Sequence, residues 1–241
     1  MKVLLTGAAG LVGRVAYDQL IENHEVTALD IRPVEGVPNS IRTDVLDLAA
    51  VTHAMGGHDA VVNTIMAPNP SYSDGGPGFT VNVTGMYNLL EASKTCGVRR
   101  FVHTSSGAVH TGYPESEFLE NDKYPLKAST PYALSKLLQE ELARNFHEQH
   151  DISIACIRPW AIFNAETMVY TDGKPVTGYS YGSIDCRDVA SALVRALETP
   201  DIGYECFYVM ATPGGYKRAD VARTEARLGW KPARTFDADL N

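Results

Sequence analysis

The stretch "KVLLTGAAGLVGRV", residues 2–15, decides the fold. Its first half, "KVLLTG" (2–7), is apolar and branched enough for a strand buried on both faces. Gly7, Gly10 and Gly13 follow in a G-x-x-G-x-x-G arrangement just where a helical pattern opens. A strand, a glycine turn and a helix in that order form the start of a dinucleotide-binding βαβ unit. Gly7 permits the tight turn, Gly10 without a Cβ lets a pyrophosphate approach, and Gly13 lets helix pack on strand. The helix N-terminus then offers unpaired N–H groups and positive potential to phosphate.

Outward from this unit the alternation repeats. Strands are predicted over 25–30, 40–45, 59–65, 100–106, 152–159 and 206–211. Helices are predicted over 11–22, 47–55, 79–96, 131–148 and 186–198. Alternation of this kind makes an α/β fold, a Rossmann-type doubly wound parallel sheet with helices on both faces. The expected organisation is a dinucleotide-binding domain over 1–163, to which 184–211 return, and a small substrate-side lobe from 164–183 and 212–241. Two long loops, 67–78 and 164–183, follow strand C-terminal ends, where open α/β sheets bind ligands, and are expected to act as lids.

Composition narrows the function classes. The chain has 241 residues, 44% of them hydrophobic, enough to bury a full core. A net charge of −8 argues against a nucleic-acid binder and against docking on anionic lipid. No apolar run reaches the length of a membrane span, and the N-terminal run is broken by Thr6, Gly7 and Gly10, so a cytoplasmic protein is expected. Cys96, Cys156, Cys186 and Cys206 form no C-x-x-C pair, which favours reduced thiols over disulfides or zinc. His147 and His150 in "HEQH" lack a supporting ligand set and read as a solvated helix end; no metal is expected.

Asp30 ends the second strand, 17 positions after Gly13. A carboxylate there accepts hydrogen bonds from ribose hydroxyls and repels a 2′-phosphate, which selects NAD over NADP; Arg14 and Arg32 nearby soften the preference. Asp44, with Val45, suits either an adenine contact or a turn.

The strand at 100–106 ends in "HTSS", placing Ser106 on the rim that holds the dinucleotide, and "YALSK" (132–136) follows. Tyr132 and Lys136 stand four positions apart, on one face of a helix. Leu134, Leu138 and Leu142 form a second stripe, expected to face the core, with Tyr132, Lys136 and Gln139 nearly opposite, towards the cofactor. A free phenol titrates near pH 10, too high for a base at neutral pH. An ammonium about 5 Å away at an effective dielectric of about 20 lowers that by about 2 pKa units. Tyr132 then exchanges a proton with a substrate hydroxyl, Ser106 orients the reacting oxygen, and Lys136 also holds the nicotinamide ribose.

Taken together, "TGAAGLVG", Asp30, "VNVTGMYNLLEA" (81–92), "FVHTSSGAVHTG" (101–112), "PYALSK" (131–136), "IRPWAIFN" (157–164) and "LGWKP" (228–232) resemble an extended short-chain dehydrogenase/reductase of the NAD-dependent epimerase/dehydratase family. The resemblance implies a catalytic triad of Ser106, Tyr132 and Lys136. It implies cofactor contacts from Leu11, Val12, Ile31, Arg32, Asp44, Val45, Thr64, Ile65, Asn82, Arg158 and Pro159, besides the glycines, Asp30, Tyr132 and Lys136. On the substrate side it implies Met66, Ser106, Gly107, Ala108 and Arg158. It also implies a homodimer through the helices at 79–96 and 131–148, with Met86, Leu89, Leu90, Leu137 and Phe146 supplying apolar contacts.

The chain departs from the family pattern in three places. "VVNTIMAP" replaces a His-Leu-Ala-Ala-like turn, His110 replaces an aromatic, and only 105 residues follow Lys136. So short a remainder suits a small sugar, sugar acid or polyol better than a nucleotide sugar. The short members that oxidise uronic acids to lactones are similar in layout, although Gly107 and Ala108 stand where they carry polar groups. Three readings follow: a dehydrogenase that consumes NAD, an epimerase or dehydratase that recycles it, and a dinucleotide-sensing protein without turnover.

Overall fold

The computed structural model describes residues 1–67, 76–120 and 125–240. Strand β1 (Lys2–Thr6) leads through the glycine turn into α1 (Leu11–Leu20), and β2 (Glu25–Asp30), β3 (Ser40–Arg42) and α2 (Leu48–Met55) follow. Next come β4 (Ala60–Asn63), α3 (Pro77–Cys96), β5 (Arg100–Thr104), a 3-10 turn at Gly107–His110 and α4 (Pro131–His150). The chain continues through β6 (Ser153–Pro159), β7 (Ala161–Asn164), β8 (Val169–Tyr170), β9 (Ser183–Asp185), α5 (Cys186–Glu198) and β10 (Tyr204–Val209). It closes with α6 (Pro213–Arg218) and α7 (Val221–Leu228).

Seven strands form one parallel sheet in the order β10-β6-β5-β4-β1-β2-β3. Read from β3, this is the doubly wound order, reversing between β1 and β4. Alternate residues of each strand feed two cores. Val3, Leu5, Val62, Val102 and Ile157 pack under α1 and α5, while Leu4, Val61, Phe101 and Ile154 pack under α2, α3 and α4.

Side-chain caps start several of the helices. Asp47 accepts from Ala50 N at 3.0 Å, Thr130 from Ala133 N at 3.1 Å and Asp185 from Arg187 N at 2.8 Å. α3 ends at Gly97, in the left-handed region at φ 74°, a conformation that costs glycine little.

The 164–183 segment, expected as one irregular loop, carries β8 and leads into β9. With β7 these make a three-stranded sheet in the order β8-β7-β9, a pairing too short to show as alternation in the sequence. The C-terminal tail covers it: Phe236 packs edge-on against Phe163 at 4.8 Å and beside Tyr179 at 4.9 Å. Trp230 of "LGWKP" is buried, its indole N–H donating to the Asp188 carbonyl and to Ser191 Oγ. Of the loop expected over 67–78, residues 68–75 lie outside the described residues.

Two expectations about helix faces are corrected. The leucine stripe of α4 does not face the core: Leu134 is exposed, and Leu138 and Leu142 are half-buried. The buried side is Ala133, Lys136, Gln139, Glu140, Ala143 and Phe146. That polar face is tolerated because it covers the polar C-terminal ends of β4–β6, where hydrogen-bond partners await it. The apolar residues named for a dimer contact are also mostly internal. Met86, Leu89, Leu90 and Phe146 belong to the core under α2–α4 and are not available to a second copy.

Candidate active site

The switch between β1 and β4 opens the crevice in which a doubly wound sheet takes its ligand. At its floor, Gly7 adopts φ +78°, and a Cβ there would lie 2.7 Å from Ile65 N and from Thr64 Oγ1. Thr64 fills that corner, donating its hydroxyl to the Thr6 carbonyl at 2.8 Å. A Cβ on Gly13 would meet the Gly7 carbonyl at 2.2 Å, so helix and turn touch there as the motif predicts. Gly10 differs: its missing Cβ would meet only the Gly7 carbonyl, at 3.2 Å, and faces open space. Gly10 is also the N-cap of α1, so the first N–H groups of the helix, those of Leu11 and Val12, have no side-chain cap to accept from them. A cradle closed to a methyl group at two glycines and open at the third fits a pyrophosphate.

Asp30 is buried at the end of β2. Its Oδ2 accepts from Ala9 N at 3.0 Å and its Oδ1 from Arg32 N at 2.9 Å. The carboxylate therefore ties the glycine turn to the next loop while keeping lone pairs for a ribose diol. Ile31 and Arg32 are exposed beside it. Arg14 donates to the Glu35 carbonyl at 2.6 Å. Asp44 forms a turn, its exposed carboxylate accepting from Leu46 N at 2.9 Å through Oδ1. Val45 is buried, its carbonyl accepting from Asn88 Nδ2 at 2.9 Å. Ile65 is partly buried, its N–H donating to Asn63, and Met66 is exposed at the same rim.

Ser106 stands two residues past β5 and caps the 3-10 turn, its Oγ accepting from Ala108 N at 3.2 Å. Lys136 is buried, and its Nζ donates to the Thr104 carbonyl at 2.9 Å. Burial pushes its ammonium down to about 8, against the pull of the Glu140 carboxylate. Tyr132 lies one turn earlier on α4, half-buried. Lys136 thus ties the helix that carries Tyr132 to the end of the strand that leads to Ser106.

A buried polar network supports this edge. Asn82 Oδ1 accepts from Ala67 N at 3.2 Å, and its Nδ2 donates to Ser135 Oγ at 3.0 Å. Gln139 Nε2 donates to the Asn82 carbonyl at 2.8 Å, joining α3 to α4. Beneath, Thr6 donates to Asn63 Oδ1, and Asn63 Nδ2 lies 3.2 Å from His103 Nδ1. Burial and the nearby Lys136 hold His103 well below its usual range, so the ring is neutral. With the Asn63 amide donating to Nδ1, the proton sits on Nε2.

Two residues expected on the substrate side have internal partners. Arg158 is buried, and its Nε and Nη2 grip both oxygens of the fully buried Glu140 at 2.9 and 2.7 Å, so the guanidinium is committed to an internal ion pair. Gly107 is the seat of an aromatic ring: a Cβ there would lie 2.0 Å from Trp160 Cε3, and one on Gly182 would lie 2.5 Å from Trp160 Cβ. Ala108 supplies its N–H to Ser106, and Pro159 ends β6 beside Val209. His110 shares a hydrogen bond with the Tyr208 hydroxyl in the interior. Glu140 was not singled out in the sequence, although its spacing, four residues after Lys136, repeats the step from Tyr132 to Lys136 and marks the same face.

A sequence profile of the NAD dependent epimerase/dehydratase family matches residues 3–175. The chain belongs to that family. It is an NAD-dependent enzyme of the short-chain dehydrogenase/reductase kind, and the glycine cradle and Asp30 suit that cofactor. Among relatives of this family member, an L-arabinose 1-dehydrogenase (NAD(P)(+)) of Haloferax volcanii is 33% identical over 168 residues, 65% of this chain and 65% of that protein. An NAD-dependent glucose-6-phosphate dehydrogenase of the same organism is 29% identical over 95% of this chain and 92% of its own length. The crystal structure of a uronate dehydrogenase from Agrobacterium tumefaciens superposes with a TM-score of 0.78, at 25% identity, over 97% of this chain and 85% of that one. Among the described residues, no helix is long and apolar enough to cross a membrane, and no cluster of three or more His, Cys, Asp or Glu could hold a metal.

Proposed function

We propose that this enzyme oxidises a hydroxyl of a small sugar or sugar acid, with Ser106, Tyr132 and Lys136 as the catalytic set. The observation that carries the reading is the seating of Lys136: a buried ammonium one helical turn from Tyr132, held by the carbonyl of Thr104, two residues before Ser106. Bound NAD supplies the hydride acceptor. Tyr132 Oη takes the proton of the substrate hydroxyl, its phenolate favoured by the Lys136 charge. Ser106 Oγ donates to the same substrate oxygen and fixes its orientation. Lys136 has further donors for the nicotinamide ribose, since an ammonium carries three.

The relatives named as arabinose, glucose-6-phosphate and uronate dehydrogenases support a sugar or sugar acid as the substrate. Water elimination needs an additional acid for the departing hydroxyl, and the two residues after Ser106, Gly107 and Ala108, carry no titratable group. That favours net oxidation over dehydration. The test incubates the protein with NAD⁺ and separate aldoses, aldose phosphates and uronates while following the absorbance of reduced nicotinamide. Stoichiometric reduction with at least one is expected. Sugar isomerisation without net reduction would instead assign an epimerase.

A further inference from the structure

Among the described residues, Glu140 is the carboxylate buried behind the strand end that leads to Ser106, and the reaction as described gives it no task. Its Oε1 accepts from Ser105 Oγ at 2.6 Å and from Arg158 Nε at 2.9 Å, and its Oε2 accepts from Arg158 Nη2 at 2.7 Å. Cys206 Sγ lies 3.8 Å from Oε2. The Tyr204 hydroxyl donates to the Glu140 carbonyl, pinning the helix to β10. A buried ion pair with two charge-assisted bonds is weak evidence for stability, since apolar replacements often serve as well. What an apolar pair could not do is grip Ser105 and set a negative charge one helical turn from Lys136.

We propose that Glu140 is a positioning residue for catalysis: its carboxylate anchors Ser105, and so the adjoining Ser106, and supplies the counter-charge that keeps Lys136 an ammonium. The proposal rests on the triad reading and deepens it.

The surroundings leave Glu140 as the nearest group fitted to that role. Around the pair stand His103 from β5, His110 from the 3-10 turn, Cys156 and Arg158 from β6, and Cys206 and Tyr208 from β10. His103 is held neutral, chiefly by burial. A hydrogen bond with Cys206, together with burial, pushes the Cys156 thiol well above its usual range, so it brings no negative charge at neutral pH. Burial likewise pushes the Tyr208 phenol well up, so it stays neutral. Arg158 is positive. Burial raises the Glu140 carboxyl, and Arg158 and Ser105 more than reverse that, leaving it ionised. Lys136 stands four residues before Glu140 on the same buried face, one helical turn away, and feels its negative charge.

The test measures NAD affinity by calorimetry across pH, which needs no turnover. In the unaltered protein, affinity weakens as Lys136 loses its proton, near pH 8. In Glu140→Gln the weakening is expected about one to two pH units lower, the size set by unit charges about 6 Å apart at an effective dielectric of about 20. Glu140→Asp, which keeps the charge, is expected to restore most of the shift. Should Glu140→Gln fail to fold around the unpaired Arg158, Glu140→Gln/Arg158→Gln removes both charges; losing the Arg158 cation offsets part of the effect, so a smaller shift in the same direction is expected. A profile that stays in place in the folded variant, whatever its melting temperature, overturns the proposal. Tyr132→Phe separates the two ideas: retained turnover defeats the triad reading, whereas lost turnover beside an unmoved Glu140→Gln profile defeats only the role of Glu140.

Discussion

Lys136 Nζ donates to the carbonyl of Thr104 at 2.9 Å, so the helix that carries Tyr132 is fastened to the strand that leads to Ser106. This bond fixes the relative height of helix and strand. It also seats a desolvated cation beneath the strand end that leads to Ser106. The chemistry proposed above depends on that cation being charged.

The pH dependence follows with a definite sign. Lys136 is charged below about 8 and neutral above it, because burial favours the uncharged amine. The value of kcat/KM for NAD reports groups of the free enzyme. It is expected to fall as pH rises through about 8, about tenfold per unit once Lys136 is mostly neutral. Steady-state kinetics between pH 6 and 10 (about the range over which the fold keeps its carboxylates ionised) checks this; a flat profile to the alkaline end would contradict it.

The three glycines are expected to separate on substitution. Gly13→Ala brings a methyl within 2.2 Å of the Gly7 carbonyl and should cost stability by several kcal/mol, of the order seen for overpacked cores, about 1–3 or more. Gly10→Ala meets nothing closer than 3.2 Å and should leave the melting temperature within a few degrees, by about the 1 kcal/mol scale, while weakening NAD about tenfold or more. Thermal unfolding and calorimetric NAD titration of the two variants decide the matter. Equal losses of stability would remove the distinction drawn between packing glycine and ligand-facing glycine.

Asp30→Ala removes an acceptor from both Ala9 N and Arg32 N. The orphaned groups should cost about 1–3 kcal/mol of stability. The ratio of kcat/KM for NAD to that for NADP should fall by about tenfold or more, since the carboxylate that repels a 2′-phosphate is gone and Arg32 remains. An unchanged ratio would show that Asp30 is only a brace for the glycine turn.

Much of this was legible in the sequence because the strands of a parallel sheet are buried on both faces and announce themselves as apolar runs. Of the seven sheet strands, even the marginal "SIR" at β3 lies inside a segment marked from the sequence. The glycine spacing carried the turn, since Gly7 and Gly13 answer to steric demands that no other residue meets. The face of α4 was misread for a physical reason: the periodicity rule assumes that the buried stripe is the apolar one. Here Lys136 and Glu140 go inward because the ends of β5 and β6 offer carbonyl, hydroxyl and guanidinium partners, and Gln139 because α3 offers the Asn82 carbonyl. The internal partner of Arg158 could not be read from the sequence. The ion pair joins residues 18 apart, and spacing along the chain says nothing of it. Strands β7–β9 were hidden because two- to four-residue pairings carry too little alternation to register.

Trp230→Ala tests the tail independently of catalysis. The buried indole and its bonds to Asp188 and Ser191 should be worth about 3–5 kcal/mol. The expected result is a lower melting temperature with NAD affinity kept within about twofold (under about 0.4 kcal/mol) at a temperature where the variant is folded. A large loss of affinity in the folded variant would mean that the tail shapes the cofactor crevice.

The most direct measurement is single-turnover reduction of NAD⁺ by Tyr132→Phe with a sugar that the unaltered enzyme oxidises. Deleting the phenolic oxygen removes the proposed base and nothing that packs the core. The rate should drop by about 10²–10⁴, with calorimetric NAD affinity kept within a few fold. A variant that reduces NAD⁺ within about threefold of the unaltered rate (about 0.65 kcal/mol of barrier) would show that the proton leaves by another route.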